Sequence, residues 1–319
     1  MTDSEVFFSS KSMFITLTNV CNAFCKKCIT RYSKNRNSFI PDNIYNHIKQ
    51  LLIEHNYGGC INCGTGETLI CEKLPDFLLS ILEKTNSNFR ILSNGLKLSS
   101  DLPDFYFDKR ITWGITLDGF FNKELENLQT GIDIEIVKKN IVENCKKGRN
   151  ENLYLNYTLH NGNFASLKSY IDFAFQNNIP DLYCTELKIY KGFEELDKYR
   201  LSKEQRNELE VLENYAKGLN FRRVYFGTAK SKKVSDKCYL NKNIAPIIDL
   251  DGSVSFCYGQ EDKIVGNIMD DNIFEKWNKV KRILMNNQEN NWCRNCSSRI
   301  SSNQYIVASN RLYPYMNKK

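Results

Sequence analysis

The sequence predicts an α/β fold: a partial (β/α)6 barrel of the TIM type, followed by a small C-terminal region built from a β-hairpin and a helix. Three observations predict it. Over the first two-thirds of the 319 residues, strand-like runs alternate with helix-like runs, the pattern of a parallel sheet with crossover helices. Several of those strands carry small and polar residues on one face. Beyond Phe221 the alternation stops, and a tight hairpin turn signal replaces it. At roughly 150 residues per domain the length suits two domains. The expected division is a barrel over 1–192, a helical connector over 193–220 and a second region over 221–319.

Met13–Thr18 opens the series as a strand. Pro41–His55 follows as a helix, with Ile44, Ile48, Leu51 and Leu52 on one stripe. Gly59–Gly64 is the second strand and Pro75–Lys84 the next helix. Phe89–Ser93 and Ile111–Leu117 are the third and fourth strands, and Ile132–Lys147 is a helix. Leu153–His160 is the fifth strand, Phe164–Asn177 a helix and Leu182–Tyr190 the sixth strand. Glu194–Lys217 reads as a charged helical connector. Asp251-Gly252 then turns a hairpin between two β-rich runs. Asp271–Met285 is an amphipathic helix, with Ile273, Trp277, Val280 and Leu284 on one face.

Strand phase says what lines the interior. In the fourth strand Ile111, Trp113, Ile115 and Leu117 alternate with Thr112, Gly114, Thr116 and Asp118. In the fifth, Leu153, Leu155, Tyr157 and Leu159 alternate with Tyr154, Asn156, Thr158 and His160. In the sixth, Leu187 and Ile189 stand out of phase with Cys184, Glu186 and Lys188. The apolar sets should face the outer helices. An ordinary closed barrel fills its lumen with branched apolar side chains, so a polar lumen here is expected to receive ligands.

Composition narrows the classes. With 25% charged and 41% hydrophobic residues this is a soluble globular composition. No apolar run approaches the ~18 residues of a membrane span, and Met1–Phe14 lacks the layout of a secretory signal. Twelve cysteines in that setting point to metal ligands and free thiols, with the cytoplasm as the expected compartment. The net charge of +7 is concentrated in Asn220–Lys319, which holds 17 Lys/Arg against 9 Asp/Glu. A solvated basic surface accounts for this, and so does attraction for an acidic substrate or electron-donor protein. The basic residues are scattered without a stacking-aromatic pattern, so no nucleic-acid module is expected.

Chemistry concentrates in Thr16–Cys28, TLTNVCNAFCKKC, a strand running into a loop with Cys21, Cys25 and Cys28. Three thiolates at this spacing can hold three corners of a cubane cluster, which usually takes four cysteines. The next cysteine, Cys60, lies 32 residues on, so one iron would stay open. A zinc site, wanting a fourth nearby ligand, is the alternative. The spacing resembles the signature of the radical SAM superfamily, whose open iron chelates the amino and carboxylate groups of S-adenosylmethionine (SAM). Cys63-Gly64-Thr65-Gly66-Glu67 resembles that family's Gly-Gly-Glu motif for the methionyl amino group, with Thr65 in place of the second glycine and Thr68 in place of the usual proline. Ser93-Asn94-Gly95 and Thr116-Leu117-Asp118-Gly119 resemble its strand-end motifs near the methionine and ribose. Together with Asn156 and His160 on the polar phase of the fifth strand, these form the expected cofactor site. One departure stands out: Lys27 precedes the third cysteine, where the family commonly has an aromatic residue covering the adenine.

A second constellation follows: Cys238, then Gly252 and Cys257, then Cys293-x-x-Cys296. It resembles the auxiliary-cluster extension of the same superfamily. No cysteine follows Cys296, so the resemblance is to the short form, called Twitch, with one auxiliary 4Fe–4S cluster, and not to the longer SPASM form. A four-cysteine zinc site competes.

The resemblance implies reductive cleavage of SAM to a 5′-deoxyadenosyl radical, which takes a hydrogen atom from an unactivated C–H. It also implies two 4Fe–4S clusters and an acidic electron donor such as a flavodoxin or ferredoxin. The expected substrate is a ribosomally made peptide, epimerised or cross-linked. The alternative is a polar small molecule, with the protein a dehydrogenase or epimerase of a sugar or aminocyclitol. A non-catalytic iron–sulfur electron carrier is the third class, disfavoured because a carrier has no use for SAM motifs. Only 20 residues precede Cys21, which speaks against a leader-peptide-binding domain there. Epipeptide epimerases lack that domain and have an aromatic tail similar to Leu312–Met316. Cys60, Cys63, Cys71 and Cys145 are expected to be core residues. Cys184, on the expected interior phase, is the candidate catalytic thiol that returns a hydrogen atom to a substrate radical.

Overall fold

The computed structural model describes residues 1–28, 37–125, 128–187, 189, 194–227, 244–256 and 264–285. In chain order the strands are β1 (Ser12–Ile15), β2 (Phe24–Cys25), β3 (Cys60–Cys63), β4 (Asn88–Ser93), β5 (Ile111–Thr116), β6 (Gln129–Thr130), β7 (Leu153–Leu159), β8 (Asp181–Glu186), β9 (Arg223–Gly227), β10 (Ile247–Ile248), β11 (Ser253–Ser255) and β12 (Ile264–Asn267). The helices are α1 (Asp3–Phe8), α2 (Asp42–Glu54), α3 (Leu74–Lys84), α4 (Asn122–Leu125), α5 (Ile134–Lys146), α6 (Leu167–Gln176), α7 (Lys203–Gly218) and α8 (Ile273–Met285). All strands but β2 and β6 belong to a mostly parallel ten-stranded sheet. The chain divides into two compact units, one of Met1–Cys21, Tyr32–Arg90 and Ser231–Lys319, the other of Asn22–Arg31 and Ile91–Lys230.

In the first unit the strand order is β12-β11-β10-β1-β3-β4. The periodic stripes in the sequence become buried faces: Ile44, Tyr45, Ile48 and Leu52 on α2, and Leu74, Phe77, Leu78 and Ile81 on α3. β10 lies parallel to β1, pairing Phe14 with Ile247 and Ile15 with Ile248, and turns antiparallel into β11. Gly252 carries that turn with φ +79°, and a Cβ there would stand 2.7 Å from Asn267 Oδ1, so only glycine fits. β12 adds a third strand that the sequence did not announce.

α1 was also unannounced, being only six residues long. Its capping box is complete: Thr2 Oγ1 accepts the Glu5 N–H at 3.2 Å and Glu5 Oε2 accepts the Thr2 N–H at 2.7 Å. Phe7 is fully buried and meets Phe274 and Trp277 of α8 edge-on at 5.2 and 5.5 Å. Ile273, Trp277, Val280 and Leu284 form the buried stripe of α8, as the sequence predicts.

The second unit runs β4-β5-β7-β8-β9, with β5, β7, β8 and β9 parallel. β2 and β6 pair separately, Phe24 with Thr130 and Cys25 with Gln129. Asp133 caps α5 by accepting the Glu135 N–H at 3.0 Å, and Ser202 caps α7 through a box with Gln205. Among the described residues no helix is long and apolar enough to cross a membrane.

The units cut the chain differently from the expected boundaries at 192 and 220. β9 falls beyond 220 yet pairs with β8, and β10 pairs with β1. Backbone hydrogen bonding thus carries the sheet past the connector, and the described strands after 221 join it.

Removing the α1 anchor should be costly. Phe7→Ala is expected to destabilise the protein by about 3–5 kcal/mol in urea melts, against less than about 1 kcal/mol for the exposed Leu79→Ala.

Candidate functional site

In the first unit the approach to the cysteine loop is held by short polar side chains. Thr18 Oγ1 donates to Ser38 O at 3.1 Å and accepts the Val20 N–H at 3.0 Å, while Asn19 Oδ1 accepts the Ser38 N–H at 2.7 Å. The glycine-rich turn after β3 closes against this segment. Glu67 N–H donates to Val20 O at 2.8 Å. Gly66 has φ +65°, and a Cβ there would lie 2.5 Å from Val20 O and 2.8 Å from Asn19 C. Any side chain at 66 would push the two segments apart. Thr65, where the family motif has glycine, is buried with its hydroxyl 3.5 Å from that of Thr16. Gly64 is half-buried beside it. Glu67 is 1% exposed and its Oε1 accepts the Leu69 N–H at 3.3 Å, capping the 3-10 turn Thr68–Ile70.

In the second unit four contacts hold the rest of the loop. Asn94 Nδ2 donates to Asn22 Oδ1 at 2.7 Å, and Thr130 Oγ1 to Phe24 O at 2.9 Å. Lys26 N–H donates to Leu128 O at 2.8 Å, and the Lys27 ammonium pairs with Asp118 Oδ2. Asp118 is fixed in turn: its Oδ1 accepts the Thr158 N–H at 2.6 Å, and its main-chain oxygen accepts Asn163 Nδ2 at 2.6 Å. Ser93 is buried, its hydroxyl accepting the Gly95 N–H at 3.0 Å. Thr116 and Asn156 pair in register across β5 and β7 and are both half-buried.

His160 is 2% exposed. Burial, and then the nearby Lys27 ammonium, push its pKa down to about 4, with Asp118 opposing. Its Nδ1 accepts the Gly162 N–H at 3.1 Å, so the neutral ring carries its proton on Nε2.

Cys21, Cys25 and Cys28 are half-buried, and none of the eight described cysteines is in a disulfide. Half-exposed thiols, one of them on the short strand β2, suit a cluster delivered from outside. Among the described residues no three Cys, His, Asp or Glu side chains converge as ligands of one ion. A cubane does not ask for that, since each thiolate binds a different iron. Three thiol donors are the chemistry that a cubane with one open iron calls for. Cys63 and Cys71 are buried, with burial raising both thiol pKa values, and Cys145 is pushed up to about 11. Cys238, Cys257, Cys293 and Cys296 lie outside the described residues.

The expectation for Cys184 is corrected. It pairs in register with Tyr157, whose hydroxyl reaches Asn163 O at 2.8 Å and Ser166 Oγ at 3.0 Å, at the entry to α6. Cys184 is 2% exposed; burial, and then Glu213 of α7, raise its pKa, while burial, and then Cys184, raise that of the buried Tyr170 of α6. Two positions on, Glu186 is ion-paired with Arg206 of α7. Both residues face the helices; the expected interior partner Lys188 lies outside the described residues. The polar face instead carries Tyr183 and Thr185 on β8 beside Asn156 and Thr158 on β7. Tyr154, Tyr183 and Tyr225 form a ladder across three strands, with ring centroids 5.2 and 6.2 Å apart.

Comparison with known proteins decides the family. The model of the Radical SAM superfamily matches residues 15–174, which is half of the chain. The chain belongs to the radical SAM superfamily. A probable GTP 3′,8-cyclase of Sulfurisphaera tokodaii (strain DSM 16993 / JCM 10545 / NBRC 100140 / 7) is 23% identical over 263 residues, covering 79% of this chain and 76% of the relative. Streptococcus suis SuiB bound to S-adenosylmethionine has a TM-score of 0.64 at 15% identity, covering 90% of this chain and 70% of SuiB. AnSMEcpe with bound AdoMet has a TM-score of 0.61 at 16% identity, covering 90% and 87%. At such identities the two structures share the fold. Membership implies SAM and the superfamily's 4Fe–4S cluster as cofactors. Both solved structures are also known with peptides, SuiB with the precursor peptide SuiA and anSMEcpe with the Kp18Cys peptide.

Two outcomes follow from the side-chain environments. Cys184→Ala should leave SAM cleavage and the product unchanged and cost on the order of 1 kcal/mol in a urea melt. His160 binds fewer protons folded than unfolded between pH 4 and 6.5, so its contribution is complete above pH 6.5 and is lost as pH falls toward 4. Urea melts at pH 7.5 and 4.5 should show a loss of about 2 kcal/mol that His160→Gln does not share.

Proposed function

We propose that this protein is a radical SAM enzyme that abstracts a hydrogen atom from an unactivated C–H of a peptide, modifying it by epimerisation or cross-linking. The observation that carries the reading is the family match over residues 15–174. The clamped glycine turn at Gly66–Glu67 and the strand-end residues Asn94 and Asp118 suit it. Cys21, Cys25 and Cys28 would hold the SAM-binding cluster. When bound, cluster and SAM together supply the 5′-deoxyadenosyl radical on accepting one electron.

The chain's own residues position and shield. Gly66 and Glu67 would offer main-chain groups of the glycine turn to the methionyl end of SAM. Thr65 adds a hydroxyl, where the family has none, beside Thr16. Asn94, Thr116 and Asn156 offer amide and hydroxyl groups for the rest of the cofactor. His160 serves as a neutral N–H donor. The half-exposed Tyr183 and the exposed Tyr225 give the polar face a surface for an extended or flat substrate. A peptide substrate is supported by the peptide complexes of the two structural relatives.

The partial barrel is part of this reading, supported by the parallel run β5-β7-β8-β9 and its polar face. So is a Twitch-type second 4Fe–4S cluster on Cys238, Cys257, Cys293 and Cys296. A flavodoxin- or ferredoxin-like acidic donor suits the basic last hundred residues, and reduced thiols suit the cytoplasm. The likeness to a probable GTP 3′,8-cyclase favours a second reading, a polar small molecule as substrate.

Anaerobically reconstituted protein should hold about eight irons, two cubanes at four each. Replacing Cys21, Cys25 and Cys28 together by Ala should halve that and abolish 5′-deoxyadenosine release from SAM and dithionite. Stoichiometric zinc with only four irons would remove the second cluster. Failure of the wild type to bind SAM would remove the enzyme reading. Faster 5′-deoxyadenosine release with GTP than with any short peptide encoded beside the gene would favour the small-molecule reading.

A further inference from the structure

The ribbon formed by β2 and β6 carries a buried amide that the site described above leaves unused. Both strands belong to the second unit, and Cys25 stands opposite Gln129 in antiparallel register. Lys26 N–H donates to Leu128 O at 2.8 Å, so residues 26 and 128 are a hydrogen-bonded pair. Residues 25 and 129, one step along, are then a non-hydrogen-bonded pair, the kind whose side chains stand closest. Such partners share a face, with Cβ atoms roughly 4.5–5.5 Å apart. A glutamine amide can reach a neighbouring sulfur across that gap.

The two faces of the ribbon differ. Phe24 is 56% exposed and Thr130 is exposed on one face. On the other, Cys25 is half-buried and Gln129 is 3% exposed. Gln129 Oε1 is buried without a hydrogen-bond partner among the described residues. Burying an unmatched polar atom costs stability, and native structures seldom keep one without a reason. With nothing holding that oxygen, the amide can make a half-turn about its last torsion, which exchanges the oxygen with the NH2 group.

We propose that Gln129 is a positioning residue for the cluster: its side-chain N–H donates to Cys25 Sγ once that sulfur is an iron-bound thiolate, and this raises the reduction potential. The proposal rests on the radical SAM reading above. Reduction adds one electron from an external donor, dithionite in vitro, and breaks no bond at Cys25 or Gln129. Three thiolates make the oxidised cluster a net monoanion and the reduced cluster a dianion. A donor to sulfur stabilises the more negative state more, so it favours reduction. A neutral amide does this without adding a charge to the site.

The test is a reductive titration of reconstituted holoprotein without SAM, followed by EPR, comparing wild type with Gln129→Met and Gln129→Glu. The relevant signal is the one missing when Cys21, Cys25 and Cys28 are replaced by Ala, which separates it from any second cluster. Gln129→Met fills similar space without a donor. It should lower the equilibrium constant for reduction by about tenfold, or about 59 mV for one electron. Its melting temperature should not fall, because Oε1 has no bond to lose. In Gln129→Glu the potential should fall as pH rises, since a protonated carboxyl donates and an ionised one repels the reduced cluster. Wild type should lack that slope.

A purely structural amide gives the opposite pattern, lower melting temperatures with the potential unchanged, and that result would overturn the proposal. Should Gln129→Met fail to hold iron, the slope in Gln129→Glu carries the test, and its absence would overturn the proposal. Loss of the cluster from both variants would do the same, and each of these outcomes leaves the radical SAM reading standing. Wild-type protein that assembles no cluster on the three cysteines would overturn both.

Discussion

Gly66 is where the glycine turn and the segment leading to the cysteine loop meet. With Val20 O only 2.5 Å from where a Cβ would be, the glycine turn and the segment leading to Cys21 touch backbone to backbone. The Glu67 N–H to Val20 O bond of 2.8 Å holds that contact closed. Two irregular segments bonded this way satisfy main-chain groups that a buried turn would otherwise leave unpaired. The position of Glu67 is a consequence. Its carboxylate is 1% exposed because the turn carries it inward, and capping Thr68–Ile70 provides a main-chain partner there.

Most of the fold was legible because its elements are long and periodic. α2, α3 and α5 bury the stripes that a 3.6-residue period marks out, and β5 and β7 keep apolar residues on one phase. The missed elements are short. α1 has six residues, β2 and β6 have two each, and β12 has four. Such segments carry too few residues for a period to register. β9 was overlooked for another reason: Arg223–Gly227 is an edge strand with little burial, so it lacks the apolar run that signals a central one.

Cys184 shows how a strand phase misleads. Leu187 and Ile189 are buried, and they fixed the phase in the sequence reading. Both stand beyond the end of β8 at Glu186, where the two-residue alternation no longer applies. The phase inside the strand is set by Leu182, which shares the helix-facing side with Cys184. A misplaced strand end has the effect of a one-residue slip, turning every side chain to the other face.

Lys27 was legible as a departure but not as half of a pair, because Asp118 is 91 residues away. A buried ion pair is seldom retained for stability, since a well-packed apolar pair of similar volume is often as stable. An aromatic residue in that place would cover a base without adding charge. The ammonium obliges the site to carry a carboxylate as well, and removing either partner strands the other. Neutral His160 adds a hydrogen-bond donor without disturbing that balance, and the same burial that keeps it uncharged keeps the pair unscreened.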